Sequence, residues 1–371
     1  MAKRILDLLD SPSTADGSTT SSAADGHTYL QVEGPTSDGL TLYARLAGRG
    51  HAGPRPMLDT AVVLTLAGSI ELEAYRHQQD VDSRSPQYVR SFPPETAFAA
   101  HAGTLCTLQS SADGVQLIVT DGRLKDTGVL PSAEERRSAV RDTRKRLAHA
   151  LESTEVRGRG TSDWPAWLDA WPPMNVPDVR STHREGSALL QGLDADRGLL
   201  TRLVHEIEHD PARLAGSRVT LLLDRLAHYQ APKRGFEVRL NMNPRRVNQE
   251  VPHNHSYNFV TRILTGGYVH VVRRRTDCGE GEFGQADLLP SIVAIERPGA
   301  SYTLGHPMVH QALMLPGTVT LFVRGPRLKS RSHALADLMP SVDTWPAPAA
   351  RGTRRRSFTG ATRAASMGTR S

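Results

Sequence analysis

Short apolar runs alternate with turn-forming residues over two long stretches of the chain. Between residues 27 and 119, runs such as 61–66 and 115–119 are bounded by Gly, Pro and Asp, and the same pattern returns over residues 237–323. Short runs rich in apolar and β-branched residues between turn signals are typical of strands. Both stretches are therefore predicted to be β-structure.

The region between these stretches has a different pattern. Residues 131–153 begin with a Pro-Ser-Ala-Glu-Glu start signal and end in basic residues, which predicts a helix. Residues 164–173 contain three Trp and three Pro and are predicted to be an irregular segment packed by its aromatic rings. Residues 182–229 are predicted to be helical, with breaks near Gly192 and at Asp210-Pro211.

The two β stretches resemble each other in sequence. Residues 94–125 align without a gap on residues 298–329 with seven identities, and residues 61–76 align on residues 259–274 with four. The two blocks occur in the same order at nearly the same offset, 204 positions for one and 198 for the other. This indicates an internal duplication, in which each copy is one antiparallel β unit.

The composition fits two ordinary domains. The chain has 371 residues, 38% of them hydrophobic, and its longest apolar windows fall short of the roughly 18 residues that a membrane span needs. Asp7 and Asp10 interrupt the N-terminal stretch where a secretory signal requires an apolar core. Because two cysteines, Cys106 and Cys278, do not make a disulfide framework, a cytoplasmic location is predicted.

The formal charge of +6 is concentrated in a tail. Six arginines and no acidic residue follow Trp345, so the rest of the chain is formally neutral. The pattern predicts a disordered basic tail over residues 344–371, and the Ser-, Thr- and Ala-rich start of the chain predicts disorder over residues 1–26. No specific nucleic-acid partner and no membrane partner are expected.

The strongest candidate for chemistry is a histidine pair at the start of the second β stretch. His253 and His255 are two residues apart, so on a strand both imidazoles leave the same face. Two nitrogen donors on one face can chelate a divalent metal with little ordering cost. An isolated pair of this kind is more often two surface histidines, so the surrounding spacing decides between the alternatives.

That spacing resembles the cupin superfamily. Its first signature places a Glu and then a Gly after the histidine pair, and here these positions fall on Phe259 and Gly266. Its second signature runs from a Gly to a His, which correspond to Gly299 and His310. The Pro-x-Gly within that signature has become Gly305-His306-Pro307.

The resemblance covers about residues 237–329, with its N-terminal echo over residues 61–125. It implies a mainly β fold of two tandem cupin-like double-stranded β-helix (jelly-roll) barrels. The domains would be an N-terminal barrel at 27–126, a partly helical linker at 127–236 and a metal-binding barrel at 237–335.

Because Phe259 replaces the usual Glu, the resemblance implies a metal held by His253, His255 and His310 alone. Within the superfamily this is similar to the thiol dioxygenases, of which cysteine dioxygenase is best known. That likeness implies Fe(II), with Zn or another divalent ion as an alternative, and open positions for a substrate and O₂. The implied activity is a non-haem Fe(II) oxygenase acting on a small polar metabolite, such as an amino acid or a thiol derivative.

Four further residues are candidates for the pocket. The position of the catalytic Tyr in thiol dioxygenases falls on Arg324, which is a candidate for catalysis and for binding a carboxylate. Arg239, on the preceding strand, is a second candidate for binding an anionic substrate. Tyr257 shares strand parity with the histidine pair and could donate a hydrogen bond, and His270 is a candidate to line the cavity or to support the site.

The N-terminal copy lacks these histidines. At the offset of 198, His253 and His255 correspond to Arg55 and Met57, and at the offset of 204, His310 corresponds to Cys106. This copy is therefore predicted not to bind the metal and to act as a packing partner, a lid or a surface for a possible homodimer.

A competing motif lies in the predicted helical region. Residues 205–209 read His-Glu-Ile-Glu-His, which satisfies the zinc-protease pattern HExxH. The apolar stripe of this segment places both histidines toward the polar side, and Pro211 disfavours a helix beyond the motif. A solvated helix end is therefore the preferred interpretation.

Two other functions remain open at this point. The same three histidines could hold Zn²⁺ and support lyase, isomerase or hydrolase chemistry. Alternatively, the protein could bind a small molecule without turning it over.

Overall fold

The computed structural model describes residues 20–22, 28–33, 40–46, 55–57, 60–120, 174–195, 210–211, 218–219, 224–231, 235–243, 251–277 and 281–335. The chain divides into two compact units. Unit 1 comprises Met1–Val81, Arg90–Val156 and Ser291–Ala294, and unit 2 comprises Asp82–Val89, Arg157–Pro290 and Ile295–Ser371.

The described residues of the first half of the chain form ten strands and a short helix. The strands are β1 (Thr20–Ser22), β2 (Thr28–Glu33), β3 (Thr41–Leu46), β4 (Arg55–Pro56), β5 (Ala61–Ala67), β6 (Ile70–Ala74), β7 (Tyr88–Phe92), β8 (Ala97–Ala100), β9 (Leu105–Ser110) and β10 (Val115–Thr120), with helix α1 (Gln78–Asp82) between β6 and β7. In unit 1, one strip of antiparallel strands runs β1-β2-β3-β10-β5-β8. A second strip runs β4-β9-β6.

Strand β1 lies inside the segment predicted to be disordered. It forms an antiparallel pair with β2, in which Ser21 is opposite Tyr29. The predicted disorder of residues 20–22 is therefore wrong. The prediction used composition alone. Composition does not show that the backbone groups of a polar segment can be satisfied by pairing with a neighbouring strand.

In the second half, the part of the chain that the structure describes forms a long helix and nine strands. They are α2 (Val179–Ala195), β11 (Arg218–Val219), β12 (Asp224–Ala231), β13 (Phe236–Met242), β14 (Phe259–Thr265), β15 (Tyr268–Arg275), β16 (Leu288–Glu296), β17 (Ser301–Leu304), β18 (Val309–Met314) and β19 (Val319–Arg324), with a 3₁₀ turn at Gln285–Asp287. In unit 2, one strip runs β11-β12-β13-β19-β14-β17. Strands β15 and β18 pair in the other sheet.

Helix α2 begins and packs for identifiable reasons. Asp178 caps it, since its carboxylate accepts hydrogen bonds from the backbone nitrogens of Arg180 and Ser181, each at 3.2 Å. Leu189, Leu190 and Leu193 form its buried face. Gly186 lets the helix approach strand β14, because a Cβ there would lie 2.5 Å from a methyl carbon of Val260.

The helix continues through Gly192, where the sequence pattern predicts a break. The larger difference concerns residues 218–219 and 224–231, which are strands although the pattern predicts helix. Strand β12 pairs along its length with β13, the next strand in the chain, and this pairing overrides the local leucine-rich helical signal.

The strand order of the two units is the same. In each, the strand corresponding to the repeated Val-x-Leu-x-Val sequence lies between two antiparallel neighbours: β10 between β3 and β5, and β19 between β13 and β14. This repeated antiparallel order confirms the predicted fold class, a mainly β chain of two tandem cupin-like barrels.

Several sequence predictions fall outside the described residues. They are the helix at residues 131–153, the Trp-rich segment at 164–173, the HExxH motif at 205–209, Cys278 and the basic tail at 344–371. Within the described part of the chain, no helix combines the length and the apolar character that crossing a membrane requires.

Candidate metal centre

The histidine pair lies on an extended segment that is held on both sides. His253 forms an isolated antiparallel bridge with His310 of strand β18, with reciprocal backbone hydrogen bonds of 2.9 and 2.8 Å. The next residue, Asn254, donates its backbone N–H to the carbonyl of His333 at 2.9 Å, and its side-chain oxygen accepts from the backbone N–H of His333 at 2.8 Å. The backbone of this segment is thus fixed by two different parts of unit 2.

The three histidines converge. One ring nitrogen from each of His253, His255 and His310 lies within 4.8 Å of the other two. The Nε2 atoms of His255 and His310 are 2.9 Å apart. Two imidazole nitrogens that each bind a metal at about 2.1 Å, at right angles, are separated by about 3.0 Å. The observed separation therefore fits two adjacent ligands of one divalent ion.

Two of the ligands have their second ring nitrogen occupied. The Nδ1 atom of His253 lies 2.9 Å from the carbonyl oxygen of Val251, and Nδ1 of His310 lies 3.0 Å from Nε2 of His270. Hydrogen bonds of this kind fix the tautomer and the ring orientation of metal-binding histidines. They leave the Nε2 atoms of His253 and His310 as the metal-facing donors.

A buried chain of polar groups continues behind His310. His270 and Glu296 have no exposed surface, and Nδ1 of His270 lies 3.4 Å from Oε1 of Glu296. For Nε2 of His310 to face a metal, its Nδ1 must carry the ring hydrogen and donate a hydrogen bond to Nε2 of His270. His270 then donates from Nδ1 to Glu296, so all the donors in the chain point away from the metal.

The electrostatic setting favours a neutral imidazole at His310. Burial lowers the pKa of His310 well below its usual value, and the neighbouring His253, His255 and His270 lower it further. A neutral imidazole has a lone pair available for a metal, whereas an imidazolium does not. His310 is thus held in the form that a metal ligand needs.

Phe259 occupies the motif position where the cupin signature has Glu. It is 2% exposed, its ring meets that of His255 edge-on at 4.7 Å, and it stacks on Phe322 at 4.8 Å. The group of candidate ligands found among the described residues consists of the three histidines without a carboxylate. Two aromatic rings therefore lie beside the centre, at the place where a carboxylate would be the fourth ligand.

A cavity of about 50 Å³ adjoins the histidines inside unit 2. Since one water needs roughly 10–15 Å³ on this measure, the cavity has room for only a few small groups. Its wall combines aromatic, apolar and polar side chains. The lining residues are Arg239, Asn241, His255, Tyr257, Phe259, Thr261, Tyr268, Tyr302, His310, Ala312, Met314, Thr320 and Phe322.

Strand β13 brings charge to this cavity. Glu237, Arg239 and Asn241 are two residues apart and share a face of the strand. Arg239 pairs through its Nε with Glu237, and Arg324 from strand β19 pairs with the same carboxylate at 2.6 Å. Glu237 is thus shared between two arginines.

Tyr257 and Arg324 form one unit at the side of the cavity. The Arg324 guanidinium lies 4.9 Å from the centre of the Tyr257 ring, a cation–π contact. The Tyr257 ring in turn lies 5.3 Å from that of His255. Tyr257 lines the cavity and Arg324 lies behind it, engaged with Glu237.

The structure therefore places four of the sequence-predicted site residues in the lining of one cavity: His255, His310, Tyr257 and Arg239. A fifth, His253, joins His255 and His310 in the histidine cluster. The structure places the other two, His270 and Arg324, one layer back from the lining. Sequence reasoning missed Glu237 and Glu296. Alternation along strand β13 was a signal for Glu237, whereas no local signal identified Glu296.

Comparisons with known proteins give structural neighbours only. No protein-family model matches the chain, and no curated protein matches it in sequence. One solved structure similar to it is the oxalate decarboxylase of Lactobacillus farciminis in a formate complex, at 11% identity over 87% of both chains with a TM-score of 0.25. Another is the oxalate decarboxylase of Bacillus subtilis with its Mn(II) centres, at 10% identity over 88% of this chain and 80% of that chain, with a TM-score of 0.24. A third is KdgF from Halomonas sp., at 18% identity over 30% of this chain and 85% of that chain, with a TM-score of 0.22.

Proposed function

We propose that this protein is a metal-dependent cupin enzyme, a non-haem Fe(II) oxygenase that acts on a small carboxylate-bearing metabolite such as an amino acid or a thiol derivative. The observation that carries the proposal is the convergence of three imidazoles on one point beside a small cavity. The candidate ligands found in the described residues include no carboxylate, which supports a three-histidine centre.

The donor set suits Fe(II). His253, His255 and His310 would hold the ion, and imidazole nitrogen is a good ligand for iron as well as for zinc. Three neutral ligands leave the full charge of the ion and about three positions of an octahedral site for other groups. When bound, the ion supplies a centre at which an anionic substrate and O₂ can meet.

Arg239 is the residue that we assign to the substrate carboxylate. It lines the cavity, and its Nε is engaged with Glu237, so its two terminal nitrogens are the donors left for a ligand. Asn241 lies two residues further along the same strand, with its side-chain oxygen buried and without a partner in the described structure. A substrate with an N–H or O–H group near its carboxylate would satisfy both residues.

Tyr257 is the residue that we assign to proton donation within the cavity. Its ring stands between His255 and the Arg324 guanidinium, which holds the ring by a cation–π contact. Arg324 would therefore act by positioning Tyr257 and by balancing the charge of Glu237. Phe259 and Phe322 line the same cavity and exclude water from the reacting groups.

The test is metal analysis combined with oxygen uptake. The full chain is purified without oxygen, its metal content is measured, and O₂ uptake is followed with a panel of small amino- and thiol-carboxylates. We expect iron in stoichiometric amount and O₂ uptake that depends on one class of substrate, both lost in His253→Ala. Stoichiometric zinc with no O₂ uptake would contradict the oxygenase assignment and favour lyase, isomerase or hydrolase chemistry.

A further inference from the structure

A row of buried polar side chains crosses three adjacent strands of unit 1. Gln116 of strand β10 is opposite Arg45 of β3 on one side and opposite Thr65 of β5 on the other. Residues directly opposite in an antiparallel pair point to the same side of the sheet. Arg45 is 2% exposed, and Gln116 and Thr65 have no exposed surface.

The row points into the interior of the barrel. Nη1 of Arg45 donates to Oγ of Ser110 at 3.3 Å and to Oε1 of Gln116 at 3.4 Å. Ser110 belongs to strand β9, in the other strip of strands of this unit. A side chain that bridges the two strips lies between them, so Arg45 and Gln116 face the inside.

Each member of the row has a polar atom with no partner in the described structure. These atoms are Nε of Arg45, Nε2 of Gln116 and Oγ1 of Thr65, and all three are buried. The two nitrogens are donors only, and a hydroxyl can donate as well. The part of the chain that the structure describes contains no ion pair for Arg45.

Buried donors of this kind need an acceptor. A polar group removed from water without a hydrogen bond destabilises the fold, and an isolated charge does so far more strongly. Water would satisfy the amide and the hydroxyl but would leave the charge of Arg45 uncompensated. The Nε edge of a guanidinium, with its neighbouring terminal nitrogen, matches the two oxygens of a carboxylate or phosphate.

The row occupies the position of the cavity wall in unit 2. At the offset of 204, Gln116 corresponds to Thr320, and the partner of Thr320 on strand β13 is Asn241. Thr320 and Asn241 both line the cavity beside the histidines. Arg45 and Gln116 therefore stand in unit 1 where the ligand-facing residues stand in unit 2.

We propose that the interior of unit 1 is a binding site for a small oxyanion, held by Arg45, Gln116 and Thr65. The ligand has the chemistry of a carboxylate or an inorganic oxyanion, and it binds without a metal. The site is independent of the metal centre of unit 2, so it stands even if the proposed oxygenase activity does not. It gives the N-terminal barrel a ligand of its own.

The test measures thermal stability and binding heat of the full chain with two probes, sodium acetate and sodium phosphate, against sodium chloride at equal ionic strength. The parent for all measurements is the His253→Ala/Arg239→Gln variant, which removes metal- and cavity-bound anions in unit 2. A ligand that binds only the folded state raises the unfolding temperature with its concentration. We expect such a rise with at least one probe and not with chloride, and the stronger probe identifies the carboxylate or phosphate class.

Arg45→Met in this parent is the decisive variant, because it keeps the length of the side chain and removes the charge. We expect the anion-dependent rise to disappear. Without anion the variant should be as stable as its parent or more stable, since an unpaired buried charge has been removed. A rise in unfolding temperature that persists unchanged in Arg45→Met would overturn the proposal. The proposal would also be overturned if neither probe stabilises the parent, because the row would then hold water only.

Two milder variants cover the case in which Arg45→Met does not fold. Gln116→Leu and Thr65→Val each remove one neutral donor and retain the charge. We expect each to weaken the binding of the probe about three- to tenfold, as the loss of one hydrogen bond implies. Unchanged affinity in both variants would place the anion elsewhere and contradict the assignment.

Discussion

The two units share a backbone design and differ in what they place inside it. In unit 2, His253 is bridged to His310 across the strands, and in unit 1 the corresponding pair is Arg55 and Cys106. The two positions are therefore paired in the same manner in both units. Only in unit 2 are the side chains at those positions imidazoles.

A second row of positions differs in the same manner. Unit 2 has Asn241 opposite Thr320, at the wall of its cavity, and unit 1 has Arg45 opposite Gln116. Under the two proposals above, substitutions at a few corresponding positions determine whether a unit binds a metal or an anion. The comparison indicates that the backbone pairing is kept between the two units, whereas the side chains at the paired positions differ and determine the chemistry of each site.

The largest effect should come from making unit 2 resemble unit 1 at its metal ligand. In His253→Arg, which introduces the residue found at the corresponding position of unit 1, we expect metal affinity to fall by more than about 100-fold. One of three ligands is then replaced by a cationic group, in a site where the loss of supporting groups alone costs roughly 10–100-fold. Metal content after dialysis against a chelator of known affinity measures this. Cys106→Ser in unit 1 is the matched control and should keep the metal content of the native protein.

The buried chain behind His310 should have the next largest effect. We expect His270→Asn and Glu296→Gln each to lower metal affinity about 10–100-fold, since the His310 tautomer is no longer fixed. Competition with a chelator gives the affinity, and the visible spectrum of the Co(II)-substituted protein reports the ligand geometry. His183→Asn is the control, because His183 is also buried but bonds to Thr303 from helix α2. Equal losses in all three variants would indicate a general packing effect and contradict a positioning role.

Substitutions of the two arginines that share Glu237 should have different effects on the steady-state kinetics. We expect Arg239→Gln to lower kcat/KM about 10–100-fold, mainly through KM, since it removes a charge-assisted bond to the substrate carboxylate. Arg324→Gln should lower kcat by a smaller factor and leave KM nearly unchanged, because it acts through Tyr257. Steady-state kinetics on the substrate identified by oxygen uptake measures both. If Arg324→Gln raised KM and Arg239→Gln lowered only kcat, the result would show that Arg324 contacts the substrate.

The smallest effect concerns Cys106, which stands where unit 2 has His310. Burial raises the pKa of its thiol to about 12, and the nearby charge of Arg45 opposes the rise only in part. The thiol ionises near pH 9 in the unfolded chain but not in the folded protein. Its contribution to the stability of the fold is therefore complete below pH 9 and is lost as the pH rises toward 12.

Urea unfolding at pH 8, 9 and 10 should show this as a falling free energy of unfolding, relative to Cys106→Ala, of up to about 1.4 kcal/mol per pH unit above pH 9. Parallel pH profiles for the two proteins would mean that the thiol ionises as easily in the folded state as in the unfolded state.

The sequence predicts much of this fold and part of its site, for physical reasons. The two-residue spacing of His253 and His255 predicts that they point to one side, and the structure brings them together on a bridged segment before strand β14. The spacing of the second cupin signature identifies His310, and the internal repeat predicts the order of the strands. Residue Glu296 could not be found in this manner, because its contact with His270 joins two different strands and depends on their register. Strand β12 was predicted to be helical, because its local leucine-rich pattern does not reveal its pairing with β13.

The most direct test is X-ray absorption at the metal edge of the purified protein, combined with metal analysis. We predict one divalent ion per chain, surrounded by three imidazole nitrogens at about 2.1 Å with oxygen ligands completing the shell. The imidazole signal should disappear when His253, His255 and His310 are all replaced by Ala. An ion without three imidazole ligands, or an ion retained by the triple variant, would contradict the convergence of these histidines on one metal.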